Sequence, residues 1–99
     1  LVLICRGRVL LERRPPSGIW GGLLSLPELP PGKLPRRYAG ALPLPVVRHA
    51  FSHFRLDIAP RLIKVGRRET AIDGVWLSLK QLEQAPLPAP IKKILSGLT

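Results

Sequence analysis

The stretch His49-Ala50-Phe51-Ser52-His53-Phe54 holds the densest chemistry in this chain. It sets an aromatic face, a hydroxyl and an imidazole side by side at Phe51, Ser52 and His53. Phe51 offers a flat surface for stacking. The Ser52 hydroxyl has one donor and two acceptor sites, and His53 has a polar ring tip. Such a triplet can wedge against a nucleobase and read its edge. The plainer alternative is a hairpin whose Phe belongs to the core and whose Ser caps a turn. The runs on either side, Val46–Ala50 and Phe54–Ile58, have strand character. Their junction is not the Asn-Gly or Asp-Gly of an ordinary tight hairpin. Alternation in the second run points Phe54, Leu56 and Ile58 to a core and His53, Arg55 and Asp57 outward.

Charge narrows the partner. Sixteen Lys and Arg against six Asp and Glu give +10, a balance that favours a polyanion. Basic residues extend from Arg6 to Lys93, with pairs at Arg13-Arg14, Arg36-Arg37 and Arg67-Arg68. No segment sets a basic face against a large apolar one, and no apolar run spans a bilayer, so nucleic acid is favoured over membrane. The competing reading is a basic surface with no partner. A chain of 99 residues, 45% of them apolar, suits a single domain over residues 1–99 with a real core. It opens directly in the strand-like Leu1-Val2-Leu3-Ile4, as expected of a domain cut from a longer protein. The lone Cys5 cannot form an internal disulfide. It reads as a small buried hydrophobe in a reducing compartment, so a cytoplasmic location is expected.

The elements that must position the central stretch follow from pattern. Leu1–Cys5 and Val9–Glu12 form a hairpin around Arg6-Gly7-Arg8. Pro15–Gly18 breaks the strand, and Leu23–Leu26 resumes it. Gly21 and Gly22 beside Trp20 suggest a close approach of backbone, with the Trp ring in the core. Pro27–Pro45 is proline-rich and is expected to be an extended surface loop exposing Arg36, Arg37 and Tyr38. Arg61–Val65 and Ile72–Leu77 read as strands, with a charged turn at Gly66–Glu69 between them. Ser78 and Gln81 have the spacing of a capping box, which starts a short helix. A last helix begins at Pro90, with Ile91, Ile94, Leu95 and Leu98 in one apolar stripe. The sum is an α+β domain: a mixed sheet with one or two covering helices.

Catalytic patterns are missing. The carboxylates Glu12, Glu28, Asp57, Glu69, Asp73 and Glu83 are scattered, whereas a magnesium site needs clustered oxygen ligands. His49 and His53 straddle a turn, and one Cys cannot complete a zinc set. There is no GxSxG and no P-loop. The chain alone is expected to have no catalytic site and to hold no metal or cofactor.

Five runs together carry a resemblance. They are Val9-Leu10-Leu11-Glu12-Arg13-Arg14-Pro15, Gly18-Ile19-Trp20-Gly21-Gly22-Leu23, Leu26-Pro27-Glu28, His49–Phe54 and Leu87-Pro88-Ala89-Pro90-Ile91-Lys92-Lys93. In this order and spacing they resemble the C-terminal domain of the MutY family of adenine DNA glycosylases, across essentially the whole chain. The resemblance implies a Nudix-like fold with a degenerate Nudix box. The Pro27–Pro45 segment stands where a Nudix hydrolase carries its Glu-rich helix. It also implies a bacterial, nucleoid-associated parent enzyme that removes adenine mispaired with 8-oxoguanine. The catalytic carboxylates and a 4Fe-4S cluster would belong to an N-terminal glycosylase domain, partner in cis to this one. The family's Phe-Ser-His loop falls on Phe51, Ser52 and His53. Leu24 departs from the family, which often has Trp there; the position is expected to pack.

The chemistry of that implied ligand suits the residues. In 8-oxoguanine N7 becomes a donor and C8 gains a carbonyl oxygen, whereas guanine offers only an acceptor at N7. A serine hydroxyl can accept from one atom and donate to the other. Each well-placed pair is worth about 1–3 kcal/mol of discrimination. The basic surface, with His49, Arg48, Arg36 and Arg37 as candidate contacts to the backbone of double-stranded DNA, supplies position and affinity. The expected function is recognition of 8-oxoguanine in DNA. Its rivals are a Nudix hydrolase of oxidised nucleotides, a generic basic nucleic-acid module and a plain interaction domain.

Overall fold

A computed structural model describes residues 1–29, 32, 34–67 and 73–98. Its strands are β1 (Val2–Cys5), β2 (Arg8–Arg13), β3 (Leu24–Ser25), β4 (Leu42–Pro43), β5 (Val47–Ala50), β6 (Arg55–Ile58), β7 (Arg61–Lys64) and β8 (Val75–Ser78), followed by the helix α1 (Ala89–Ser96). β1 and β2 pair as a hairpin with Cys5 opposite Arg8. Arg6 and Gly7 between them have φ of 51° and 75°. Two positive φ values make a type I′ turn, whose twist matches that of the strands it joins. β2 pairs with β8 along its other edge and with β3 through Glu12 and Arg13. β1 pairs in parallel with β7, which in turn holds β4. The sheet is therefore mixed, in the order β8-β2-β1-β7-β4, with β3 at the end of β2. β5 and β6 form a separate antiparallel hairpin.

Strand alternation gives the sheet two apolar faces. One face carries Val2, Ile4, Val9 and Leu11, and Ile91, Ile94 and Leu95 of α1 cover it. Pro90 sits in the first turn of α1, where its missing N–H costs nothing. Leu98 falls beyond the helix but still packs against this cluster. Leu24, which departs from the family pattern and is expected to pack, is buried in it too. The opposite face carries Leu1, Leu3 and Leu10, and Tyr38 covers it. Val2, Leu3, Val9, Leu10, Leu11 and Leu95 are sealed from solvent. Burying each such side chain stabilises the fold by about 1.5–3 kcal/mol.

The proline-rich segment differs from expectation. It holds a 3₁₀ turn at Arg36–Tyr38 and the strand β4. Proline excludes an α-helix interior, but a single turn needs only one backbone bond. Here the Tyr38 N–H donates to the Pro35 carbonyl at 2.9 Å. Tyr38 is not exposed. It is 4% accessible, because the second sheet face needs a cover and no α-helix among the described residues supplies it. Leu23–Leu26 contributes only two residues of strand. The helix after Ser78 is 3₁₀, spanning Leu79–Gln84, and the Ser78 hydroxyl accepts from the Lys80 N–H rather than from Gln81. Arg68, Glu69 and Ile72, from the expected charged turn and the start of the last strand, lie outside the described residues.

Candidate nucleic-acid interface

The β5–β6 hairpin pairs Val47 with Ile58, Arg48 with Asp57, His49 with Leu56 and Ala50 with Arg55. Cross-strand partners share a face. Val47, His49, Phe51, Phe54, Leu56 and Ile58 therefore line an inner face, and Arg48, Ala50, Arg55 and Asp57 an outer one. Val47 and Ile58 seat the base of the hairpin on the core under α1. On the outer face, Arg55 pairs with Asp57 at 3.5 Å, both well exposed. Arg48 stands exposed on the same face.

At the tip, the Phe51 N–H donates to the Phe54 carbonyl at 2.7 Å, which leaves Ser52 and His53 as the two outermost residues. Both are exposed. Neither has a positive φ, so the tip is not a type I′ or II′ turn. The Phe51 ring meets three others. It stands edge-on to His49 at 4.7 Å, stacks on Phe54 at 4.5 Å with 21° between planes, and tilts against Trp20 at 5.9 Å. Trp20 and His49 are 6.1 Å apart. Phe51 is thus an anchor of the loop. His49 is half-buried within the ring cluster, not free to reach outward as Arg48 is. Phe54 keeps its expected face but is 47% exposed and belongs to neither buried core cluster.

Trp20 is the part of the site that sequence reasoning assigned only to packing. Its loop is braced at four points. Arg13 Nη1 donates to the Gly22 carbonyl at 2.6 Å. The backbone adds Arg14 N–H to Leu23 O, Gly22 N–H to Pro15 O and Leu23 N–H to Trp20 O, at 2.8–3.1 Å. Trp20 itself has a φ of 55°, which aims its ring at the hairpin while the chain reverses. The glycine pair after it was the available signal. A Cβ on Gly21 would lie 2.5 Å from the Pro16 carbonyl oxygen, so the close approach inferred there is real.

Arg36 and Arg37 do not join this group. They ride on the turn whose Tyr38 packs on the opposite sheet face, and the Arg37 guanidinium lies 5.2 Å from the Tyr38 ring centre. A further basic group, Arg6, Arg8 and Arg67, lines a cleft at the β1–β2 turn. Positive charge is therefore spread around the sheet and not gathered at the hairpin.

A mixed sheet closed on one face by a C-terminal helix and on the other by a proline-rich segment defines an α+β domain of the Nudix-like kind. Residues 1–97 match the NUDIX domain family, and the chain belongs to that family. Phosphate chemistry in such a fold implies a divalent cation held by clustered carboxylates. Among the described residues, no three His, Cys, Asp or Glu side chains come together, and Glu28 is engaged by Arg14. The oxygen donors among the described residues are not clustered as such a cation requires. None of the helices among the described residues is long and apolar enough to cross a membrane.

Proposed function

We propose that this domain recognises 8-oxoguanine in DNA on behalf of an adenine glycosylase, with Ser52 reading the lesion. The matched family is the one that includes the C-terminal domains of MutY-type enzymes, which supports the resemblance carried by the sequence runs. One observation carries the reading. Within a single loop, Phe51 is held by three rings while the neighbouring Ser52 and His53 stand in solvent. A polar pair on a fixed aromatic base is pre-organised for reading a base edge, since little freedom is lost when it binds. Ser52 can accept from N7–H and donate to the C8 oxygen. Arg48 on the outer face suits a phosphate, and His53 a base edge or a phosphate.

The test is Ser52→Ala, which removes one exposed hydroxyl and leaves the fold intact. Binding to duplexes with 8-oxoguanine is compared with binding to guanine duplexes. The preference for the lesion is expected to fall by about 1–3 kcal/mol. Ser52→Ala combined with His53→Ala should lose more. Variants that keep the whole preference would show that the loop is not the reader.

A further inference from the structure

We infer that Phe54, and not Phe51, is the aromatic surface this loop offers to DNA, as a platform on which one nucleobase stacks. The inference rests on the DNA-binding reading above and assigns the stacking role within it. Phe51 is half-buried and already engaged by three other rings. It is stacked on Phe54, meets His49 edge-on and leans on Trp20. Phe54 is the outermost ring of the same cluster. One of its faces lies on Phe51, and the residue is 47% exposed, which leaves its other face as the one a base could cover.

An exposed Phe alone would need no explanation. This one differs in three ways. It is rigid, because it stacks on a ring that is itself fixed by Trp20 and His49. It adjoins the exposed Ser52 and His53, so a base on Phe54 would bring its neighbour's edge toward polar groups. It belongs to a chain of +10, whose charge draws the phosphate backbone in. Stacking on a pre-ordered ring is sequence-tolerant, since every base has a π-face. It therefore supplies affinity, and Ser52 supplies the choice of base.

The experiment uses this chain with duplexes that carry 2-aminopurine beside either 8-oxoguanine or guanine, and the variants Phe54→Leu and Phe54→Tyr. Leucine keeps apolar bulk and removes the ring; tyrosine keeps the ring. Phe54→Leu is expected to bind both duplexes about 5- to 150-fold more weakly, the range for loss of one base–aromatic stack. It should also abolish the change in 2-aminopurine fluorescence that binding produces, while Phe54→Tyr retains affinity and that change. Phe54→Tyr should melt like wild type, and Phe54→Leu a few degrees lower, since it loses the stack on Phe51; binding is therefore compared well below both transitions. Wild-type binding by Phe54→Leu, or equal losses in both variants, would overturn the assignment. The two readings fail separately. A wild-type chain that binds both duplexes equally refutes lesion recognition, yet the effect of Phe54→Leu is still read on either duplex. A chain that prefers the lesion but ignores Phe54→Leu refutes only the platform.

Discussion

Replacing Trp20 by alanine removes the floor of the ring cluster without touching any residue proposed to meet DNA. Two ring pairs vanish, with His49 at 6.1 Å and Phe51 at 5.9 Å. Such pairs contribute about 0.5–1.5 kcal/mol each beyond buried area. Truncating a fully buried Trp costs about 3–5 kcal/mol, which is the upper bound for this half-buried ring. A loss of about 2–4 kcal/mol follows, or roughly 10–20 °C in Tm for a domain of this size. A second variant separates packing from backbone. Trp20 has a φ of 55°, a region that costs an L-residue about 1–2 kcal/mol and glycine almost nothing. Trp20→Gly should therefore be at least as stable as Trp20→Ala, although glycine is the more flexible residue. Thermal and urea unfolding measure both, and binding to 8-oxoguanine duplexes reads the loop, which should loosen in each. An alanine variant within about 4 °C of wild type, with unchanged binding, would show that Trp20 does not hold the hairpin.

DNA binding by the chain should be weak and salt-sensitive, about 10⁻⁴–10⁻⁶ M for undamaged duplex at physiological salt. A titration with a flat salt response would argue against phosphate contacts. No magnesium-dependent turnover of 8-oxo-dGTP is expected; product that disappears on changing Glu12 or Glu28 would reinstate the hydrolase. Gly74→Ala should destabilise the fold by about 1–3 kcal/mol, since the new Cβ would clash with the Leu11 carbonyl oxygen and would force β8 off β2. A urea midpoint equal to that of wild type would contradict that geometry.

Elements with a strong local cause were legible in the sequence. The Arg6-Gly7 turn, the apolar stripe of the last helix and the two strands around Phe51 all appear where periodicity and turn chemistry put them. The α+β class follows from them. What escaped was tertiary. Tyr38 is buried because the sheet face bearing Leu3 and Leu10 needs a lid, and a proline-rich stretch gives no local sign of that demand. The inner face of Phe54 was readable from alternation, but not its 47% exposure. Trp20 read as a packing residue, and it is one; that its ring packs on the hairpin loop depends on a turn held by four bonds, three of them between residues seven to nine positions apart. Arg36 and Arg37 look like companions of Arg48 in a list of charges, yet the chain crosses from one sheet face to the other between them.

The parallel pairing of β1 with β7 sets a timetable for folding. Val2 meets Leu62, and Arg8 meets Ser78, so both edges of the first hairpin wait for strands made far later. At roughly 5–20 residues per second on the ribosome, the 49 residues from the end of β2 at Arg13 to Leu62 take about 2.5–10 s. Over that interval the β1–β2 hairpin, whose Val2, Leu3, Val9, Leu10 and Leu11 end fully buried, has two open edges and no cover. Long-range closure is slow, and an unpaired apolar edge invites other chains. The nascent hairpin is thus the point at which synthesis of this domain is most open to aggregation. Slower elongation before residue 62 should lengthen that exposure, whereas holdase chaperones that cover the hairpin should raise the soluble yield.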